Sequence, residues 1–191
     1  MTKKRCLWTN NRPEYIKYHD EEWGVPIRNN DQKMFEVLAL EILRYDFSRL
    51  IILQLRSSFN KAFKSFNIET VSSFTSHDIE QLFNDESIVS NKAKIKAIIK
   101  NAQCILTIQQ EYSSFCNYIW SFSEDRVINN LRDSILDIPL TSPEAEAMSK
   151  ELKKRKLLKI NSQLCYGFMQ AAGLVNDHTI DCFRYSELLS S

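Results

Sequence analysis

The sequence predicts an all-α fold. Its 191 residues include only three glycines and four prolines, and no stretch alternates apolar and polar residues as a half-buried strand does. Apolar residues recur at helical spacing instead, and the clearest stripe comprises Ile95, Ile98, Ile99, Ala102 and Ile105. A chain of this length can bury a substantial core, so we expect one domain over residues 1–191.

The first third of the chain predicts short helices separated by turns. Pro13 suits the first turn of a helix that carries two tyrosines and a histidine. The glycine and proline within residues 23–26 mark a turn, and Asp31 is placed to cap a helix that runs to about Asp46. Further helices are expected over residues 48–56 and 59–66, because their apolar residues are in helical register.

Residues 76–111 have the layout of a helix-hairpin-helix motif. Ser76 is placed to cap the first helix, and a tight connection leads into a long helix that begins at Asn91. The turn of such a motif offers backbone N–H groups to a DNA phosphate. The expected DNA contacts are Ser87, Ile88, Val89, Ser90 and Lys92. A solvated lysine face is the competing interpretation, because runs of charge usually face water.

The last third predicts three more helices. Residues 115–122 are apolar and helical, whereas residues 123–141 are the least patterned stretch. Ser142-Pro143 is a cap followed by a proline at the first helical position, which opens a helix to about residue 155. Ser162 is placed to cap a helix ending at Gly173, a residue suited to the left-handed C′ position.

Composition excludes several classes of protein. The net charge is +1, so any nucleic-acid surface has to come from local basic patches. No apolar run approaches the ~20 residues that a membrane span needs. The five cysteines are scattered, and the basic N-terminus leads into no apolar signal segment, which favours a reducing compartment over a disulfide scaffold. We expect a cytoplasmic protein without membrane contact and, since nothing demands a dimer, a monomer.

Cysteine and histidine pairs near the two ends predict a metal site. His178 and Cys182 are four residues apart, which on a helix places them on one face, and Cys6 and His19 are the comparable pair near the N-terminus. Two cysteines and two histidines form a closed tetrahedral set, suited to one structural Zn²⁺ ion. The alternative is that they are ordinary buried side chains. A shared metal would join terminal segments of about residues 1–30 and 160–191.

Glu41 is the candidate for chemistry. It is a charge inside the apolar window 37–43, where an unpaired carboxylate faces a large desolvation cost. The alternatives are a structural ion pair and a carboxylate that emerges at the surface. Aromatic residues near the N-terminus, Trp8, Tyr15, Tyr18 and Trp23, are either core residues or the walls of a pocket in which a flat ring stacks.

Longer motifs extend these observations over nearly the whole chain. They comprise Cys6-Leu7-Trp8, residues 15–26, Leu40-Glu41, Ile88-Val89, Lys94-Ile95, Trp120-Ser121-Phe122, residues 165–178 and Cys182. Together these motifs resemble the bacterial DNA-3-methyladenine glycosylase I family. The resemblance implies a helix-hairpin-helix fold whose termini are joined by one structural zinc ion.

The resemblance also implies an activity. The expected reaction is base excision, in which 3-methyladenine is flipped out of alkylated duplex DNA and its N-glycosidic bond is hydrolysed to leave an abasic site. Glu41 matches the glutamate that contacts the base and is the expected catalytic residue, stabilising positive charge that develops on the sugar. Tyr15, Tyr18 and Trp23 match aromatic residues of the base pocket.

Several positions depart from the family pattern, and Asn161-Ser162-Gln163 stands where a segment that contains glycine is expected. Arg49 stands where a stacking tryptophan is expected, and Asp46 where a small glycine is expected. In the hairpin, Ser87 replaces the usual glycine and Ser90 the usual arginine. The departures affect the pocket wall and the DNA turn rather than the scaffold. Two alternatives therefore remain beside the active enzyme: a glycosylase of shifted specificity, and a zinc-stabilised module that binds damaged DNA without excision. A helical interaction protein unrelated to DNA is a weaker third.

Overall fold

The computed structural model describes residues 3–89 and 91–189. Within them the protein is largely helical, which confirms the predicted fold class. The α-helices are α1 (Pro13–Glu21), α2 (Asp31–Arg44), α3 (Arg49–Gln54), α4 (Arg56–Ala62), α5 (Ile68–Ser72), α6 (Ser76–Phe83), α7 (Lys92–Tyr112), α8 (Phe115–Trp120), α9 (Pro143–Lys154), α10 (Ser162–Ala171) and α11 (Phe183–Leu189). Short 3-10 helices form at Leu7–Thr9, Lys64–Phe66, Ser121–Ser123 and Ile135–Asp137. Among the described residues, no helix combines the length and apolar character needed to cross a membrane.

Helix α2 is the centre of the core. Each of its residues from Met34 to Leu43 is buried, and the helix contacts α3, α7, α8 and α10. A helix surrounded by neighbours is expected to be apolar on all sides. Two carboxylates, Glu36 and Glu41, are nevertheless buried along with the apolar residues, and both therefore need partners.

One short strand pairing interrupts the helical pattern. Strand β1 (Ile128–Asn129) runs parallel to β2 (Val175–Asn176), and an isolated bridge joins Arg132 to Thr179. The sequence does not reveal this pairing, because a strand of two residues leaves no alternation. The pairing fixes the least patterned stretch of the chain against the segment that follows α10.

Several helix ends lie where the sequence predicts them. Ser142 accepts a hydrogen bond from the Ala145 N–H, and Gly173 adopts the left-handed conformation with φ +78°. A Cβ on Gly173 would lie 2.4 Å from the backbone of Val25 and Pro26. A glycine at this C′ position therefore also allows the turn after α1 to pack closely against the end of α10. Three predicted caps are wrong by one residue, because the preceding side chain accepts the N–H bond instead. The observed caps are Asn30, Thr75 and Asn161.

Asp31 takes a different role from the predicted cap of its own helix. Its carboxylate accepts hydrogen bonds of 2.7–2.8 Å from four groups of α7, α8 and the turn between them. The donors are the Gln109 amide, the Ser114 hydroxyl and the backbone N–H groups of Phe115 and Cys116. Burial alone would raise the pKa of Asp31, but these hydrogen bonds outweigh it and the pKa is lowered.

We expect Asp31→Asn to destabilise the protein by about 2 kcal/mol at pH 7, because charge-assisted hydrogen bonds from two N–H groups of α8 weaken. A carboxylate whose folded pKa is depressed stabilises the protein above its unfolded pKa, and this contribution is lost as the pH falls through the folded pKa. Denaturant unfolding at pH 7 and near pH 3 should therefore show a smaller cost in acid. The exposed Asp133→Asn variant is the control, and an equal cost at both pH values would contradict the assignment.

Candidate functional site

The four residues predicted to bind a metal meet in one buried cluster. Cys6, His19, His178 and Cys182 are each at most 2% exposed, and their ligand atoms all lie within 4.8 Å of one another. The Sγ–N distances are 3.6 Å from Cys6 to His178, 3.4 Å from Cys182 to His19 and 3.6 Å from Cys182 to His178. Tetrahedral Zn–S and Zn–N bonds would place such atoms ~3.6 Å apart. The cluster therefore has the spacing and the ligand types of a closed metal site.

Both imidazole rings of the cluster are oriented by a second partner. His19 Nδ1 lies 2.8 Å from Asp20 Oδ1, and His178 Nε2 lies 3.0 Å from the backbone oxygen of Trp23. Each of these ring nitrogens donates to an oxygen, so the lone pairs of His19 Nε2 and His178 Nδ1 face the cysteines. Histidine ligands of metals are typically fixed in this way.

The pKa values of the two cysteines in the cluster are shifted in opposite directions. A hydrogen bond from the Cys6 thiol lowers the pKa of Cys182. The same bond, together with burial, raises the pKa of Cys6. A thiolate enclosed with two oriented imidazoles is an arrangement that suits a cation.

The predicted helix carrying His178 and Cys182 is wrong. Both residues lie in an irregular turn between β2 and α11, and this turn is held by a hydrogen bond from the Cys182 N–H to Thr179 O. Asp177 begins the turn. It is fully enclosed, and its carboxylate accepts from Arg132, Tyr166 and Gln170. This network, rather than helical spacing, brings the histidine and the cysteine to one side.

Glu41 is buried on α2 and paired on both carboxylate oxygens. Its exposed fraction is 4%, Oε2 accepts from Arg44 at 2.8 Å, and Oε1 accepts from Arg49 at 3.1 Å. Arg44 is one turn further along the same helix, whereas Arg49 is the first residue of α3. The carboxylate therefore forms ion pairs with two arginines, which agrees with the structural alternative. Glu41 also borders a cavity.

Arg49 joins Glu41 to Tyr18. The Nη1 atom that contacts Glu41 also donates to the Tyr18 hydroxyl at 2.9 Å, and the guanidinium carbon lies 5.1 Å from the centre of the tyrosine ring. Burial lowers the pKa of Arg49, but the nearby Tyr18 oxygen and Glu41 carboxylate outweigh it, and the pKa is raised. Burial raises the pKa of Tyr18 to about 12. At neutral pH the arginine is charged and the phenol is neutral.

Two cavities meet at Arg49. The first has a volume of about 130 Å³ and is bordered by Tyr18, Glu41 and Arg49. The second, of about 400 Å³, is bordered by Arg49, by the predicted pocket residues Tyr15 and Trp23, and by residues that sequence reasoning missed. The missed residues include Gln170, Ile138 and Leu140, which lie in the poorly patterned stretch or on α10. The predicted pocket is thus divided in two by the side chain of Arg49.

Gly167 on α10 lies directly against the Glu41–Arg44 ion pair. A Cβ at this position would be 3.1 Å from Glu41 Oε2 and 3.2 Å from Arg44 Nη2. These separations are tighter than ordinary van der Waals contact, so the missing side chain lets α10 approach the ion pair closely. Gly167 belongs to the C-terminal motif, but its contact with Glu41 could not be read from the sequence.

The residues of the hairpin that were expected to contact DNA differ in burial and in their partners. The Ser87 N–H donates to Asp85, whereas Ile88 is buried and Val89 packs against the core. Lys92 pairs with Glu80 at 2.7 Å at the surface. Ser90 lies outside the described residues. Lys94, which belongs to one of the motifs of the resemblance, is buried and donates to Leu43 O and Asp46.

Comparison with known proteins identifies the family of this fold. The family profile described as "Methyladenine glycosylase" matches residues 8–185. DNA-3-methyladenine glycosylase 1 of Escherichia coli K12 is 36% identical over 182 residues, which cover 95% of this chain and 97% of that protein. A crystal structure of 3-methyladenine DNA glycosylase I superimposes with a TM-score of 0.90 at 37% identity and covers 94% of this chain and 98% of the other.

A second solved structure extends the comparison. It is a variant of 3-methyladenine DNA glycosylase I in complex with 3-methyladenine, with a TM-score of 0.90 and 31% identity over 94% of this chain and 96% of the other. The scaffold is therefore that of the solved 3-methyladenine DNA glycosylases. The chain belongs to the methyladenine glycosylase family.

We expect Glu41→Gln to destabilise the protein by about 2–4 kcal/mol, because two guanidinium groups lose a buried counter-charge. Adding Arg49→Met should cost less in this background than in the wild type, since Arg49 no longer loses an ion pair. Denaturant unfolding of the two single variants and the double variant measures this coupling. The exposed Glu21→Gln variant is the control, and strictly additive costs would contradict a Glu41–Arg49 ion pair.

Proposed function

We propose that this protein is a DNA-3-methyladenine glycosylase that removes the alkylated base from duplex DNA and leaves an abasic site. The observation that carries the proposal is the buried carboxylate of Glu41 beside a cavity bordered by an aromatic ring, in a chain of the methyladenine glycosylase family. A relative of the same scaffold has been solved in complex with 3-methyladenine. The substrate we assign to this chain is duplex DNA that contains such a base.

The chemistry follows from the charge of the substrate. Methylation at N3 makes adenine cationic within the nucleoside, so the ring already resembles a protonated leaving group. The C1′–N9 bond breaks with its electron pair going to the ring, which departs as a neutral base. Water adds to C1′ and loses a proton, which completes the hydrolysis. Because the leaving group is activated, the protein needs to flip, select and orient the base rather than supply a strong acid.

Glu41 is the residue we assign to base contact and catalysis. Its carboxylate can accept a hydrogen bond from the exocyclic amino group of adenine and stabilises positive charge on the ring and the sugar. The flat faces of Tyr15, Tyr18 and Trp23 are suited to stacking on an extruded base. We expect the base to occupy the space on both sides of Arg49, because the carboxylate borders one cavity and the indole the other.

The hairpin is the segment we assign to the DNA backbone. The backbone N–H groups of its turn, over residues 87–90, are the expected phosphate donors, and those of Ser87 and Ile88 have to exchange Asp85 for the phosphate. Lys92 follows the turn at the surface and is expected to add a phosphate contact by exchanging its partner Glu80. We further expect one domain, acting as a monomer in the cytoplasm.

Zinc is the metal we assign to the Cys6, His19, His178 and Cys182 cluster. Two thiols and two imidazoles at tetrahedral spacing fill all four positions of a structural zinc ion and leave none for catalysis. When bound, the ion would supply a covalent-like link between the N-terminal segment and the turn before α11. The residues that keep the imidazoles in place are Asp20 and Trp23.

A second candidate function is supported by the pairing of Glu41 with two arginines. With both oxygens engaged, the carboxylate has no oxygen left for the base unless a guanidinium leaves. If neither leaves, the chain binds damaged or abasic DNA without releasing a base. Retained, salt-sensitive binding to such DNA with no base released would favour this candidate.

We expect wild-type protein in excess over methylated duplex DNA to release free 3-methyladenine in a single turnover, and Glu41→Gln to slow the release on the order of 100-fold. Glu21→Gln is the matched control, because Glu21 borders the same cavity but is exposed. Released base is measured by chromatography at a temperature where all three proteins are folded. The absence of any released alkylpurine from the wild type would reject the proposal.

We expect purified full-length protein to contain about one zinc ion per chain. Cys6→Ser should lose the metal and lower the melting temperature by on the order of 10 °C or more, because metal binding is coupled to folding. Metal content is measured by elemental analysis beside thermal unfolding. Cys104→Ser is the control, as this buried thiol lies outside the cluster. A wild type without metal, or a Cys6→Ser variant with unchanged zinc, would count against the assignment.

A further inference from the structure

We propose that Arg49 determines which bases the pocket accepts, by competing with a positively charged ring for Glu41. This inference rests on the proposed base-binding role of the pocket, but not on excision. The guanidinium of Arg49 pairs with Oε1 of Glu41 and also contacts the Tyr18 hydroxyl. A cationic base reaches Glu41 only when this guanidinium is displaced, whereas an uncharged base with a ring acceptor can bind to the guanidinium itself.

The first support is the division of the Glu41 carboxylate between two arginines. Oε2 is engaged by Arg44, one turn along α2, and lies near α10, where a Cβ on Gly167 would be 3.1 Å from it. Oε1 is engaged by Arg49, at 3.1 Å. Oε2 lies between Arg44 and α10, whereas Oε1 lies beside Arg49. Arg49 therefore controls access to the carboxylate from the side of Tyr18.

The second support is the position of Arg49 at the boundary between the two cavities. Its side chain borders the Glu41 cavity and also the cavity lined by Trp8, Tyr15 and Trp23. Arg49 begins a helix of six residues and its side chain is 22% exposed, whereas Arg44, the last residue of α2, is 34% exposed and does not border the aromatic cavity. A guanidinium that leaves Glu41 can move over the neighbouring aromatic faces, which attract cations. Such a movement joins the two cavities into one space.

The third support is the charge around the first cavity. Its four basic residues are Lys33, Arg44, Arg49 and Arg56, and its three acidic residues are Glu21, Glu22 and Glu41. Lys33 and Arg56 are engaged by Glu22 and by the buried Glu36. Around Glu41 itself two guanidinium groups face one carboxylate. A cationic ring entering this space meets net positive charge, and in a partly buried site that repulsion is weakly screened.

The experiment compares a permanently charged ring with an uncharged ring of similar shape. The probes are 3,9-dimethyladeninium and 9-methyladenine, and equilibrium binding to the full chain is measured by calorimetry or tryptophan quenching. The variants are Arg49→Met, which keeps the length of the stem without the charge, and Arg49→Lys, which keeps the charge. Thermal unfolding establishes that each variant is folded. A double variant, Arg49→Met with Glu41→Gln, tests whether the effect passes through the carboxylate.

We expect Arg49→Met to increase the ratio of cation to neutral affinity by about tenfold or more, because a like charge beside the ring is removed. Arg49→Lys should keep the wild-type ratio, and the double variant should lose the increase. An unchanged ratio in Arg49→Met, or an increase that survives Glu41→Gln, would overturn the inference. The binding assay involves no base release, so its result can be interpreted even if the protein does not excise a base. An unchanged affinity ratio, in turn, does not affect the excision assay.

Discussion

The structure depends on the meeting of its two chain ends. Cys6 and His19 enter from the N-terminal segment, and His178 and Cys182 from the turn before the last helix. Their contacts place the Trp23 backbone against His178, and they hold α1 and its Tyr18 beside α3. Without this closure, the aromatic side chains would have no fixed relation to Glu41. The cluster lies apart from the Glu41 carboxylate, yet it sets the position of one wall of the pocket.

The fold was largely predictable because its signals are local. Helical spacing, caps and prolines located most helices, and errors of one residue arose where two cap-forming residues are adjacent, as with Asn30 and Asp31. The parallel pairing of β1 with β2 was not predictable, because it joins residues that are far apart in sequence and too few to show a period. The irregular turn of His178 was missed for the same reason: its shape is set by the distant Arg132 and by Asp177.

The site was only partly predictable. A charge in an apolar window identified Glu41, and matching residue types identified the four cluster residues. Both signals depend only on residue type and on neighbours along the chain, so they are visible in the sequence. The partners of Glu41 are a tertiary property. Arg44 could have been suspected from its spacing of three residues, but Arg49 reaches the carboxylate through the turn between α2 and α3. The sequence marked Arg49 as unusual, and the fold shows that it divides one space into two.

Trp23 contacts both the metal cluster and the aromatic cavity. Its backbone oxygen holds His178, its indole lies 4.5 Å from that imidazole, and the same indole borders the aromatic cavity beside Trp8. One residue thus belongs to the metal cluster through its main chain and to the ligand space through its ring. Intrinsic emission from this indole should therefore respond to events on either side, which makes the protein its own optical reporter without an attached dye.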